Sequence, residues 1–394
     1  MTEGNYRHLY VVIEHEEGKP VPVSLEMLGE ARRLMDNFNK KYSSEEKVVA
    51  IVLGHNVRKL CEELIHYGAD CVIYADSPEL EYVRNLTYTK VISQIACEKD
   101  LAKKVSLEYS RKFKKPRYMF FGADSIGRHL SSTVLADLES GLASDINKLV
   151  VDDIELTHQY KTAGKPITYK KILEMYRPDF SGFLWTTILC LDNKNPSIER
   201  DYHPQACSII PGVFEPIKYD ASRKGDIIDY HPKLEPEDLK VKILNRKIIK
   251  SEVDFDRYKV IVSFGRGIKD SPEENIKLIE DFAKKLDAAI GVSLPISKKP
   301  YLVSERLRST YMIPDRVIGT SGRKVSPLLY VAVGIGGAMQ HIAGMKESEF
   351  VVAINPDENA PIKDECDVFI KGRMEDVIPK FSEELRKLQP KIKA

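Results

Sequence analysis

The chain has 394 residues, and its 60 lysines and arginines are balanced by 59 aspartates and glutamates to a formal net charge of +1. With 43% hydrophobic and 30% charged residues, the composition is typical of a folded protein and excludes a disordered or collagen-like chain. The balanced charge gives no basic footprint, so we expect no nucleic-acid partner. At about 150 residues per domain, the length predicts two or three domains.

The sequence carries no signal for a membrane or an export pathway. No apolar run approaches the roughly 20 residues that a helix needs to span a bilayer, and the start, MTEGNYRHLY, lacks the hydrophobic core of a signal peptide. We therefore expect a cytoplasmic protein with no transmembrane segment. The six cysteines form no C-x-x-C pair and several lie in apolar runs, which predicts buried thiols rather than a metal or redox site.

The first third alternates short apolar strands with helical patterns. Strands are expected at 9–13, 48–54, 71–74 and 118–121, and helices at 25–35, near 60–65 and over about 90–112. This alternation predicts parallel βαβ units, and the continuously apolar strands favour a sheet covered on both faces. From about 150 to 245, short apolar runs split by turn residues predict extra, partly antiparallel strands, followed by a domain boundary near 240–256.

A second alternating set begins after that boundary. Strands are expected at 260–265, 288–292, 316–319, 330–334 and 350–354, with helices over 273–286 and around 377–385. We therefore predict an α/β protein of two doubly wound domains, 1–250 and 257–394. The second should be a Rossmann-like parallel sheet, of the kind that binds FAD or NAD, with helices on both faces.

Three glycine-containing loops follow strands of the second set. They are Gly265-Arg266-Gly267, the run 319–322 and the run 334–338. Ligands of an open parallel sheet bind outside the carboxyl ends of its strands, where glycines let backbone amides approach phosphates. Three such loops favour a phosphate-bearing cofactor. No acidic residue stands about 20 residues after the third loop, where Asn355 lies instead, so a nicotinamide cofactor is the weaker interpretation.

Longer motifs surround these loops. They are VSPLLY at 325–330, GIGGAMQHIAGM at 334–345 and VAINPD at 352–357, with GADSIGR at 122–128 and PGVF at 211–214 in the first domain. In these motifs the chain resembles the α subunits of electron-transfer flavoproteins over nearly its whole length. The resemblance implies an electron carrier rather than an enzyme: an αβ heterodimer with FAD in the second domain and with the first domain docking the β subunit. It would pass electrons from donor dehydrogenases to an acceptor such as a membrane quinone oxidoreductase.

The resemblance also implies which residues contact FAD. It places Arg266 and the 336–337 turn at the pyrophosphate, Ser321 beside the flavin N5 edge, and an imidazolium of His341 at the flavin C2 carbonyl. The implied contacts are Arg266, Ser293, Ile318, Gly319, Thr320, Ser321, Gly336, Gly337, Ala338, Met339, Gln340, His341 and Asn355.

Several features depart from the family pattern, among them Thr320 and Ser321 in place of a glutamine and a threonine, and Gly336 in place of a serine. Leu294 stands where most of the family has an arginine stacked on the flavin, and Arg373 stands where it has an acidic residue near the adenosine end. The connection at 297–314 is longer and more basic than usual, and we expect it to be a solvated surface loop.

Leu294 and Arg373 keep a second hypothesis open, a flavin- or adenine-nucleotide-dependent enzyme that retains the fold. A cofactor-free structural subunit is the third and weakest, because it would leave the three glycine loops unexplained. We find no nucleophile, metal or paired-carboxylate constellation that predicts bond-making chemistry.

Overall fold

The structure is a computed structural model that describes residues 6–106, 113–178, 184–246, 253–298, 301–320 and 322–392. Its contacts divide the chain into two compact units, Met1–Arg246 and Lys247–Ala394. Each unit is built around a parallel sheet flanked by helices, so the predicted α/β class with two doubly wound domains is confirmed. In the described part of the chain, no helix is long and apolar enough to cross a membrane.

The first unit contains a seven-stranded sheet and a three-stranded sheet. Its strands are β1 (Tyr6–Ile13), β2 (His15–Glu16), β3 (Lys19–Pro20), β4 (Val48–Gly54), β5 (Cys71–Asp76), β6 (Lys115–Gly122), β7 (Leu142–Ile146), β8 (Lys148–Leu156), β9 (Ile167–Pro178), β10 (Trp185–Leu189), β11 (Gln205–Ile209) and β12 (Asp226–Tyr230). Its helices are α1 (Pro22–Tyr42), α2 (Arg58–His66), α3 (Asn85–Cys97), α4 (Lys99–Val105), α5 (Ser125–Asp137) and α6 (Gln159–Thr162).

The larger sheet is parallel throughout, in the order β12-β5-β4-β1-β6-β11-β7. All seven residues of β4 are buried, as expected for a strand covered on both faces. The expected antiparallel strands are present as the small sheet β10-β9-β8.

The single helix expected over about 90–112 is wrong. Two helices, α3 and α4, meet at Glu98, whose backbone is extended, and residues 107–112 lie outside the described part. In one continuous helix Leu101 would point about 180° away from Ile92, at 100° per residue. The break turns Leu101 and Val105 towards the same core that Ile92 occupies.

The prediction of buried thiols holds for four of the six cysteines. Cys61, Cys71, Cys190 and Cys207 are buried, and burial raises the pKa of Cys61 to about 12. Cys97 is exposed and Cys366 is half-buried, because each lies at an element end beside solvent and not inside a strand.

The topological switch of the first sheet, between β1 and β6, holds a buried carboxyl group. Glu14 follows β1 and is 8% exposed, and a Cβ at Gly122 or Gly127 would lie 2.8 or 2.6 Å from its Oε1. Asp124 caps α5 beside it by accepting from the Ile126 and Gly127 N–H groups at 2.9 Å each. Burial, with the adjacent Asp124 carboxylate, raises the pKa of Glu14 to about 8. At neutral pH Glu14 is therefore a protonated acid that donates to Asp124.

Because folded Glu14 binds this proton more tightly than unfolded Glu14, the first unit loses stability as pH rises. Glu14 titrates near 4.5 when unfolded and near 8 when folded, so the folded state holds one extra proton between those values. The free energy of unfolding should fall by about 5 kcal/mol from pH 4.5 to 8 and then level off. Glu14→Gln, which stays neutral and keeps a donor, should remove the part of the loss that Glu14 causes, whereas burial also raises the pKa values of Glu26 and Glu30 and leaves a smaller slope of the same sign. Urea unfolding followed by Trp185 fluorescence measures it in this unit.

The matched control is Glu62→Gln, which makes the same substitution at an exposed glutamate on α2. Wild-type protein and Glu62→Gln should share one pH slope. An equal slope in Glu14→Gln would contradict the assignment of a bound proton to Glu14.

The second unit is a six-stranded parallel sheet in the order β15-β14-β13-β16-β17-β18. Its strands are β13 (Val260–Phe264), β14 (Ala289–Ser293), β15 (Val317–Ile318), β16 (Leu329–Val333), β17 (Val351–Asn355) and β18 (Val368–Lys371). Its helices are α7 (Pro272–Lys285), α8 (Leu294–Lys298), α9 (Glu305–Tyr311), α10 (Met339–Ile342) and α11 (Met374–Ile392). The strand order reverses between β13 and β16, which sets the position of a ligand crevice.

Candidate functional site

The ends of β13 and β16 meet at the switch point through glycine backbones. The turn Arg266–Asp270 follows β13, and Gly267 donates its N–H to the Gly334 oxygen at 3.0 Å. A Cβ at Gly267 would lie 2.6 Å from the Gly334 Cα, and Gly334 itself has φ +59. Only glycines allow this approach. The contact brings two of the three predicted loops together at the carboxyl edge of the sheet.

The loop after β16 presents consecutive backbone donors. The N–H groups of Gly336, Gly337 and Ala338 make no hydrogen bond within the described residues. A Cβ at Gly337, which has φ +85, would lie 2.2 Å from the Ile362 nitrogen, whereas a Cβ at Gly336 would meet nothing within 4 Å. The loop is therefore packed on Ile362 on one side and open above Gly336. Consecutive free N–H groups form a site for an anion such as a phosphate.

Two predicted residues lie at the ends of neighbouring strands, Arg266 after β13 and Ser293 at the end of β14. Arg266 is exposed and forms no ion pair with any described residue. Ser293, the last residue of β14, is 7% exposed and pairs in register with Ile318 of β15. A cation without a carboxylate partner is free to bind an anionic ligand.

The loop after β15 is attached to the loop after β16. Thr320 donates its N–H to the Gln340 oxygen at 2.8 Å, and a Cβ at Gly319 would lie 2.7 Å from the same oxygen. Met339 and Gln340 are exposed, and Ser321 lies outside the described residues. The helix that follows Ala338, α10, is a single turn, so it adds no helix dipole to the site. The anion-binding groups are the loop N–H groups themselves.

The expected imidazolium at His341 is wrong for this structure. The ring is 5% exposed, with Nδ1 3.0 Å from the Ile318 oxygen and Nε2 3.0 Å from the Tyr330 hydroxyl. Since a carbonyl oxygen only accepts, Nδ1 carries the proton and Nε2 accepts from Tyr330. Burial lowers the pKa of His341 to about 4, so the ring is neutral near pH 7. Sequence analysis assigned Tyr330 only to a strand and missed this contact.

Asn355 shapes the site from the end of β17. Its Nδ2 donates to the Ile335 oxygen at 2.8 Å, and its Oδ1 accepts from the Asp357 N–H at 2.9 Å. The side chain therefore fixes the start of the loop that carries the free N–H groups.

The long connection after β14 is not the solvated loop that we expected. It contains α9, where Arg306 forms a two-point ion pair with Glu280 of α7 at 2.8 and 2.9 Å and Leu307 is buried. Ser304 donates its N–H to Glu273 of the same helix at 2.7 Å. Leu294 is half-buried against the apolar cluster on this face. The basic residues are thus partly used to dock the connection onto α7.

The carboxyl edge of the second sheet therefore fits a phosphate-bearing cofactor. It combines the free N–H groups of 336–338, the unpaired Arg266 and the glycine contact at the switch point. The loops after β13, β15, β16 and β17 are joined by direct hydrogen bonds, whereas Ser293 joins them only through its strand register.

Comparison with known proteins identifies the family. Residues 254–346 match the model described as electron transfer flavoprotein FAD-binding domain, and residues 9–178 match the electron transfer flavoprotein domain. Protein FixB of Clostridium saccharobutylicum is 34% identical over 97% of each chain. The electron transfer flavoprotein subunit alpha of Thermoanaerobacterium thermosaccharolyticum is 32% identical over 98% of this chain and 99% of its own. The chain belongs to the electron-transfer flavoprotein α-subunit family.

This membership assigns the cofactor and the type of activity. The C-terminal unit of this α-subunit homologue is an FAD-binding domain, and members of the family are electron carriers rather than enzymes. Another relative, at 32% identity over 95% of this chain, is the acryloyl-CoA reductase electron transfer subunit beta of Anaerotignum propionicum.

Neighbouring glycines give a matched test of the anion loop. Gly337→Ala should destabilise the second unit by about 2–4 kcal/mol, because the new Cβ meets the Ile362 backbone at a strained φ. Gly336→Ala should leave the cofactor-free protein as stable as wild type but weaken FAD binding, because its Cβ fills the open side of the loop. Unfolding and flavin titrations measure both. Unchanged FAD affinity in Gly336→Ala would place the phosphates elsewhere.

The state of His341 can be tested independently of the cofactor. Histidine nitrogen NMR of the cofactor-free chain should show a neutral ring protonated at Nδ1, and His341→Gln should remove that signal. Because the unfolded ring binds a proton near pH 6.5 and the folded ring near 4, stability should fall by about 3 kcal/mol as pH drops between those values. A charged ring at pH 6 would contradict the assignment.

Proposed function

We propose that this chain is the α subunit of an αβ electron-transfer flavoprotein and that its first domain, residues 1–250, docks the β subunit. FAD bound by the second domain, residues 257–394, would carry electrons from donor dehydrogenases to an acceptor such as a membrane quinone oxidoreductase. The names of its relatives, which include a subunit alpha and an electron transfer subunit of acryloyl-CoA reductase, support the heteromeric assembly.

The observation that carries the proposal is that, within the described residues, the N–H groups of 336–338 make no hydrogen bond and Arg266 makes no ion pair. A diphosphate needs several backbone donors and a nearby cation, and this edge of the sheet offers both. Arg266 and the loop 336–338 would hold the pyrophosphate. Ser293, Asn355 and the loop around 318–321 would line the rest of the cofactor.

The neutral His341 changes the role proposed for it. With its ring held between Ile318 and Tyr330, it fixes the position of the 318–320 loop and of Gln340 beside the cofactor. Bound flavin supplies the chemistry of one- and two-electron transfer. The residues of this chain bind and orient that cofactor.

The assembly can be tested by co-expression with a β subunit of the family. We expect a 1:1 heterodimer with flavin absorbance that is reduced by a dehydrogenase and reoxidised by a quinone oxidoreductase. A monomer that turns over a small-molecule substrate with a dye, without a second subunit, would contradict the proposal and support a flavin-dependent enzyme.

The position of the cofactor can be tested in the same heterodimer. Arg266→Gln removes a charge-assisted contact and should weaken FAD binding by at least about tenfold. Lys269→Gln is the matched control, since Lys269 is exposed on the same turn and loses the same charge. Equal affinity in the two variants would show that Arg266 does not touch the phosphates.

A further inference from the structure

Arg373 links two loops at the carboxyl edge of the second sheet. It precedes α11, and its Nη2 lies 2.7 Å from Oδ2 of Asp270, the last residue of the turn that begins with Arg266. Its Nε lies 3.5 Å from Oε2 of Glu375. The guanidinium therefore bridges Asp270 of the Arg266 turn and Glu375 of α11.

A second connection runs parallel to the first. Asn275 of α7 is buried, and its Nδ2 donates to Glu375 Oε1 at 3.0 Å and lies 3.5 Å from the Ile268 oxygen. Ile268 belongs to the Arg266 turn, and Met374, next to Arg373, packs against Gly334. The middle and the end of the Arg266 turn are thus both held to the start of α11.

The charges at this edge make Arg373 important for an anionic ligand. Asp270 ends the turn that packs on Gly334, and Glu375 lies in the first turn of α11, whose Met374 also lies against Gly334. A carboxylate near a bound phosphate repels it. Arg373 neutralises part of that charge through its contacts with both carboxylates. Arg266 pairs with neither acid, so its charge stays available.

We propose that Arg373 is a positioning residue for FAD, which holds the Arg266 turn in place and neutralises Asp270 and Glu375 beside the pyrophosphate. This inference rests on the proposed FAD site. It assigns Arg373 an indirect role, exerted through Asp270 and not through its own contact with the cofactor.

The test measures FAD affinity by flavin titration of the full chain co-expressed with its β subunit and then freed of cofactor. Arg373→Gln should weaken binding by about five- to tenfold, since it removes two exposed ion pairs and uncovers two carboxylates. Adding Asp270→Asn to that variant should recover part of the loss, because it removes an uncovered charge. The FAD affinity of Arg373→Lys, which keeps the charge, should fall between those of wild type and Arg373→Gln.

A matched control separates this role from net charge. Lys371 lies two residues before Arg373. Lys371→Gln breaks the ion pair of this lysine with Glu358 and removes the same charge. It should leave FAD affinity within about twofold of wild type, because exposed pairs contribute little on their own. Thermal unfolding of the cofactor-free variants should stay close to wild type, which shows that Arg373→Gln does not act by unfolding the domain.

Three results would overturn the inference. Unchanged affinity in Arg373→Gln would show that the bridge is irrelevant to FAD, and an equal loss in Lys371→Gln would reduce the effect to net charge. No recovery in the Arg373→Gln, Asp270→Asn double variant would mean that Arg373 contacts the phosphate directly. A wild-type heterodimer that takes up no FAD would instead contradict the proposed function, and this inference with it.

Discussion

The close packing of the turn after β13 on the end of β16 is the constraint on which the site depends. Gly267 and Gly334 touch backbone to backbone, at a distance that no Cβ permits. Because the two halves of the sheet diverge at this point, their loops would otherwise stand apart. The contact directs the Arg266 turn over the end of β16. It thereby holds the backbone that carries Arg266 against Gly334, two residues before the N–H groups of 336–338, and Asp270 of the same turn contacts Arg373.

The sequence predicts most strands of both sheets, because buried parallel strands are continuously apolar. The strand expected at 48–54 has those bounds in the structure, and 260–265 differs from Val260–Phe264 by one residue. The strand β12, Asp226–Tyr230, was not predicted, because it is an edge strand with two aspartates among its five residues and only two of the five are buried. The break at Glu98 was also missed, because it depends on where the core lies and not on a proline or glycine.

The glycine loops could be predicted because each needs a residue type that stands out in the sequence. The state of His341 could not, since it depends on Tyr330 and on the Ile318 oxygen, which only the folded sheet brings to its ring. Arg373 was recognised as a departure from the family, but its partner Asp270 is 103 residues away in the chain. Sequence resemblance thus indicates which loops bind the cofactor, whereas the charges around them follow from tertiary contacts.

Burial determines which of these ionisable side chains are neutral and which are charged near pH 7. Glu14 in the first unit keeps a proton and His341 in the second stays without one, and both are neutral near pH 7 because a low-dielectric interior disfavours charge. Arg266 and Arg373 keep their charges at the exposed edge of the sheet. A dianionic diphosphate is therefore attracted to the edge, and the neutral interior behind it holds the loops in place. The buried histidine is part of that support through its contacts with the Ile318 oxygen and the Tyr330 hydroxyl, and the charged groups of this edge lie on its exposed loops.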